Sequence, residues 1–223
     1  MPRYVAVGFD LDGTLFDHAG SAHIGLDGFL GSLGTELTEP AVELWRDAEN
    51  THYEHWLAGR ITFQEQRRRR LREFLPRVGI AVPDTDAAQD ELFESYLSEY
   101  RAAWRPFPDA IPLLRSLRGE GIRIGVLTNG SGEQQRDKLA VTGLLPLIDA
   151  VCVSEEIGVP KPDPRAFDAL AEAMGAPPSD IVFIGDSPHY DVEGARAAGM
   201  RAGLVIQGVA GHIGLADALS RAR

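Results

Sequence analysis

Five short apolar runs constrain the fold of this sequence more than any other feature. They lie at Val5–Phe9, Ile122–Leu127, Ala150–Val153, Ile181–Gly185 and Ala202–Ile206. A short apolar run bounded by turn residues reads as a strand buried on both faces. From residue 106 onward such runs alternate with helical stretches at about Pro108–Arg118, Ser131–Val141, Pro164–Met174, Pro188–Ala198 and Ile213–Arg221. Asp163 is placed to cap the third of these with Pro164 at its first position, and Gly199 to stop the fourth. Buried strands alternating with helices define an α/β fold, a parallel sheet covered on both faces.

Between the first run and the second the texture changes. Residues 17–104 hold no convincing strand and read as amphipathic helices at about Ala41–Leu57, Thr62–Leu75 and Asp90–Ala103. Thr62-Phe63-Gln64-Glu65 has the form of a capping box. The block is expected to be an insertion, with residues 1–16 and 105–223 forming the core and hinges near Phe16 and Arg105–Pro108.

Composition narrows the class of partner. Net charge is −11, whereas nucleic-acid binding needs a basic stripe. An anionic small molecule remains compatible, because one divalent cation inverts a local field. Cys152 is the sole cysteine, so no intramolecular disulfide forms. Without a signal pattern or a membrane-length apolar run, a soluble cytoplasmic protein is expected, monomer or homodimer, with no membrane or nucleic-acid partner.

Ligands of an open α/β sheet sit at the carboxyl ends of its strands. The first strand ends in Asp10-Leu11-Asp12-Gly13-Thr14 and the second in Thr128-Asn129-Gly130. Lys161-Pro162-Asp163 follows the third, and Gly185-Asp186-Ser187 with Asp191 follows the fourth. An ionised carboxylate at the end of a buried strand needs a cation, a proton or exposure in a cleft.

These four motifs, in this order on these elements, resemble the haloacid dehalogenase-like (HAD) superfamily. The resemblance covers roughly residues 3–16 and 105–210, and residues 17–104 resemble that family's cap. It implies a Rossmann-like doubly wound parallel sheet core with an inserted all-helical cap domain. It further implies a Mg²⁺-dependent phosphatase acting on a small phosphorylated metabolite (nucleotide, sugar phosphate or phosphoglycolate type) through an aspartyl-phosphate. By that resemblance Asp10 is the nucleophile, and Asp12 the general acid and then base, held protonated by the charge of Asp10 beside it. Asp186 completes a metal site with the Asp10 carboxylate and the Asp12 carbonyl. Thr128 and the amides of Asn129 and Gly130 hold the phosphoryl oxygens, Lys161 neutralises charge, and Asp191 and Thr14 support from behind. Tyr190 stands where many relatives have Asn, which leaves the surroundings of Asp191 open.

Several conspicuous residues have plainer readings. Arg67–Arg70 with Arg72 lie in a helix, where successive side chains cannot share a face, and are expected to be solvated. His52 and His55 read as helix surface, and Trp45, Trp56 and Trp104 as cap core. His18 and His189 are near the motifs in sequence only. A phosphomutase uses the same core. A haloacid dehalogenase needs neither Asp12 nor Asp186, and a phosphonatase needs a cap lysine, which residues 17–104 lack. A non-catalytic module that binds a phosphometabolite is the alternative outside enzymes.

Overall fold

The computed structural model describes residues 4–208 and 212–222, so the expected core limits at residues 1 and 223 fall outside the described residues. Five strands, β1 (Ala6–Phe9), β2 (Arg123–Thr128), β3 (Ala150–Val153), β4 (Ile181–Gly185) and β5 (Arg201–Leu204), form one parallel sheet of order β3-β2-β1-β4-β5. β1 runs in register with Arg123–Val126 on one side and Ile181–Ile184 on the other. The chain therefore winds outward from β1 to β3 and returns to β4, placing the switch point between β1 and β4. β5 ends earlier than expected because Ile206 leaves the sheet to bridge Ile213.

The chain divides into two compact units, residues 1–18 with 104–223, and residues 19–103. The second begins just inside α1 (His18–Ser32) and holds α2 (Glu39–Leu57), α3 (Phe63–Phe74) and α4 (Asp86–Ala102). Helix α1 went unassigned from sequence because its glycines mask it, glycine being a poor helix former. Packing explains one of them: a Cβ on Gly25 would lie 2.7 Å from the Tyr100 Cα of α4. Trp45 anchors this unit's interior, its ring centroid 4.7 Å from Tyr96 and 5.0 Å from Phe74. Trp56 lies against Tyr53 and Phe63, whereas Trp104 falls in the other unit, edge-on to Phe16.

The arginine run is solvated only in part, at Arg69 and Arg72. Arg70 is buried, its guanidinium 4.4 Å above Trp45 and paired with Glu49 at 3.0 Å. Arg68 binds both Asp90 and Asp86, and Arg69 and Arg72 share Glu65. Spread round one helix, the arginines meet acids from α2, α3 and α4. His52 pairs with Glu73 at 3.0 Å.

The core helices are α5 (Ala110–Gly119), α6 (Gly132–Val141), α7 (Ser154–Ile157), α8 (Pro164–Met174), α9 (Gly194–Ala197) and α10 (Leu215–Arg221). α8 packs on β2 and β3, and α10 on β4 and β5. α8 starts as its sequence dictates, with Asp163 Oδ1 accepting from the Arg165 N–H at 2.9 Å. It buries Ala166, Phe167, Leu170, Ala171 and Met174, a single helical stripe. Residues 188–198 are not one α-helix: Pro188–Glu193 form a π-helical turn before α9. The segments entering and leaving the insertion run side by side, with Phe107 N–H on Leu15 O, Asp17 N–H on Arg105 O, and the Arg105 guanidinium on Asp17 Oδ2. Among the described residues no helix is long and apolar enough to cross a membrane.

Candidate active site

The turn after β1 is set by local chemistry. Leu11 O accepts from the N–H groups of Thr14, Leu15 and Phe16, closing a tight loop. Gly13 has φ 88°, a left-handed conformation that favours glycine. A Cβ there would also collide with the Asp186 carboxylate, so residue 13 lets the ends of β1 and β4 come together.

Asp10 is buried, its N–H donating to Ile184 O on β4 at 2.9 Å. Its Oδ1 accepts from Lys161 Nζ at 2.6 Å, and its Oδ2 has no hydrogen-bond partner. Lys161 Nζ also donates to Asp191 Oδ1 at 2.6 Å. Burial pushes the Asp10 carboxyl well above its ordinary value. Lys161 pulls the other way, and the charges of Asp191 and Asp186 add to the rise. Burial would lower the Lys161 ammonium, but the two aspartates outweigh it and raise the group. Asp191 is spoken for on both oxygens, Oδ2 accepting from the Ser187 N–H at 2.9 Å. Neither partner depends on residue 190, whose N–H donates to Ser187 Oγ.

Asp10, Asp186 and Asp191 offer carboxylate oxygens within 4.8 Å of one another. Asp186 is exposed to solvent, yet the protein crowded around its carboxyl, then the Asp191 charge, push it up to about 6. Oxygen-only donors, an unpartnered buried Asp10 oxygen and the close approach at Gly13 fit a hard cation. With Asp191 engaged by Lys161 and Ser187, the oxygens left to hold it are those of Asp10 and Asp186.

Asp12 overturns one expectation. The charge of Asp10 does not hold it protonated. Helix α6 brings Lys138 Nζ to 2.6 Å from Asp12 Oδ1, and Gln135 Nε2 to 2.8 Å from Oδ2. Burial would raise the Asp12 carboxyl, but Lys138, then His18, then Gln135 outweigh it and lower the group. His18 thus acts electrostatically at the site, while His189 is exposed and bonded to Glu193. Sequence reasoning missed Lys138 and Gln135. One signal was present: the chain has only two lysines among its 22 basic residues, Lys138 and Lys161.

The end of β2 serves two purposes. Thr128 is buried and its Oγ1 accepts from Gln135 Nε2 at 2.6 Å. The Asn129 side chain is a brace, its Nδ2 donating to Lys161 O (3.1 Å) and its Oδ1 accepting from Lys161 N–H (2.9 Å). The Gly130 N–H donates to Ser154 Oγ at 3.1 Å, which takes this amide out of the expected phosphoryl-binding set in this conformation. Thr14 is fully buried, and its hydroxyl has no partner.

The model of the haloacid dehalogenase-like hydrolases matches residues 4–199. The chain belongs to that family. It is 41% identical over 136 residues to phosphatase MT3486 of Mycobacterium tuberculosis, covering 60% of this chain and 61% of that one. With the glyceraldehyde 3-phosphate phosphatase of Methanothermobacter thermautotrophicus it shares 31% identity over 90% of its length and 84% of the relative's. The chain spans only 61%, 47% and 41% of three relatives matched at 40% or 41% identity. Among solved structures the HAD-hydrolase YfnB of Bacillus subtilis superposes with a TM-score of 0.76 at 23% identity, covering 92% of this chain and 89% of that one. That likeness concerns the fold.

Proposed function

We propose that the protein is a Mg²⁺-dependent phosphatase that hydrolyses a small organophosphate monoester in the cytoplasm through an aspartyl-phosphate on Asp10. The observation that carries this is the state of Asp10: one oxygen fixed by Lys161, the other buried and unpartnered. A fixed carboxylate with an open oxygen is an oriented nucleophile. Its oxygen forms a bond to phosphorus as the bond to the alcohol oxygen breaks, and Asp12 delivers a proton to that oxygen. Water then attacks the phosphorus, Asp12 takes its proton, and inorganic phosphate leaves with Asp10 restored. Asp12 is held below its ordinary value by Lys138 here, so its acid role requires it to gain a proton first.

Asp10, Asp186 and the Asp12 carbonyl would hold Mg²⁺, which when bound offsets the negative charge of phosphate and carboxylates. The Thr128 hydroxyl, which here donates to Asn129 O at 3.4 Å, would turn to a phosphoryl oxygen, and Lys161 would neutralise charge gathering there. Asp12 supports phosphate-ester chemistry over halide displacement, since a halide leaves without a proton. Two of the relatives named above are phosphatases by name, one of them for glyceraldehyde 3-phosphate and aligned over most of both chains. Phosphate release from 4-nitrophenyl phosphate with Mg²⁺ tests the proposal. It is expected to be abolished by a chelator and by Asp10→Asn; full activity in Asp10→Asn overturns the covalent mechanism.

A further inference from the structure

We propose that Lys138 and Gln135 are positioning residues for Asp12, forming a two-point clamp from α6 that governs delivery of the leaving-group proton. The proposal rests on the acid–base role given to Asp12 above. Lys138 is 2% exposed and Asp12 28% exposed, so the clamp's cation is buried while the carboxylate it holds reaches solvent.

Each oxygen of Asp12 has its own donor, Lys138 Nζ on Oδ1 and Gln135 Nε2 on Oδ2. Two donors one helical turn apart fix both the position and the plane of a carboxylate, which a single contact does not. Gln135 Nε2 donates to Thr128 Oγ1 as well. One amide therefore joins the group that handles the proton to the hydroxyl that would hold the phosphoryl oxygen. The Lys138 ammonium also sits 4.9 Å from the Phe16 ring centroid, where the chain leaves the turn. A buried lysine is costly unless paired, and this chain places one of its two lysines here.

Because the clamp acts through Asp12, its loss should track how badly the leaving group needs a proton. A 4-nitrophenolate leaves without one; a primary alkoxide does not. The parameter kcat/KM for 4-nitrophenyl phosphate and for glycerol phosphate isolates steps up to formation of the phosphoenzyme. Lys138→Met is expected to lower kcat/KM for glycerol phosphate by about 100-fold, at least about tenfold more than for the aryl ester. Gln135→Leu, which removes no buried charge, is expected to show the same bias more weakly and serves if Lys138→Met does not fold. Asp12→Asn, measured alongside, tests the acid–base role itself. Selective loss in Asp12→Asn with equal losses on both esters, or none, in the clamp variants overturns the clamp alone. Equal losses on both esters in Asp12→Asn overturn the acid–base role and the clamp with it.

Discussion

Both units of the molecule bury a cation, and they do so for opposite ends. At the strand ends four carboxylates (Asp10, Asp12, Asp186 and Asp191) meet two ammonium groups (Lys138 and Lys161). When all are ionised, two negative charges remain in excess, and one buried oxygen of Asp10 is left without a partner. In the helical unit Arg70 meets Glu49 one to one and lies over Trp45, with Phe93 and Tyr96 alongside. The first arrangement is incomplete without something cationic. The second is neutral within itself and contributes cohesion.

The largest difference between the two should appear when each cation is removed. Lys161→Met leaves Asp10 and Asp191, whose side chains are 8% and 2% exposed, buried side by side without compensation. A cost of about 3–5 kcal/mol is expected, read from denaturant unfolding. Arg70→Met frees Glu49, whose side chain is 20% exposed and able to reach water, so about 1–3 kcal/mol is expected. Equal costs would erase the distinction between a charged site and a packed neutral pair.

The core was more legible than the insertion, and the site more legible in its strand ends than in its helix. β1 to β4 were visible because strands buried on both faces must be continuously apolar, and Asp10, Asp186 and Lys161 because charge at such an end needs a reason. Lys138 and Gln135 sit within a helix whose polar residues look like surface. Only the turn after β1 brings Asp12 to them, a tertiary fact that no local pattern carries. Helix α1 failed for a related reason: its glycines oppose helix formation locally, and one of them, Gly25, serves close packing against α4.

Metal binding should sharpen the charge argument. The Asp186 carboxyl, pushed up to about 6 by crowding and by Asp191, must lose its proton before it ligates. Above pH 6 it is ready; below, each ion bound displaces a proton, so Mg²⁺ affinity by calorimetry should fall by about tenfold per pH unit. The unloaded protein has the opposite sign. A carboxyl whose folded value lies above its unfolded value of 3.8 adds stability as pH falls toward 4 and loses it as pH rises through 6. Mg²⁺ affinity flat between pH 5 and 7 would remove Asp186 from the metal site.

The smallest effect concerns the start of α3, where the sequence pattern is only half realised. Thr62 Oγ1 accepts from the Glu65 N–H at 3.1 Å, as a capping box requires. The Glu65 carboxylate does not complete the box with Thr62; it accepts from Arg69 at 2.9 Å and Arg72 at 3.2 Å. Those two guanidiniums hold the Glu65 carboxyl below its ordinary value, Arg69 foremost. Thr62→Ala should therefore cost about 1 kcal/mol at any salt concentration, since it removes a cap. Glu65→Ala should cost about 0.5 kcal/mol at low salt and close to nothing at 1 M salt, since it removes exposed ion pairs. A Glu65→Ala cost that persists in high salt would mean that the carboxylate caps the helix after all, and that this surface is organised by backbone satisfaction instead of by charge.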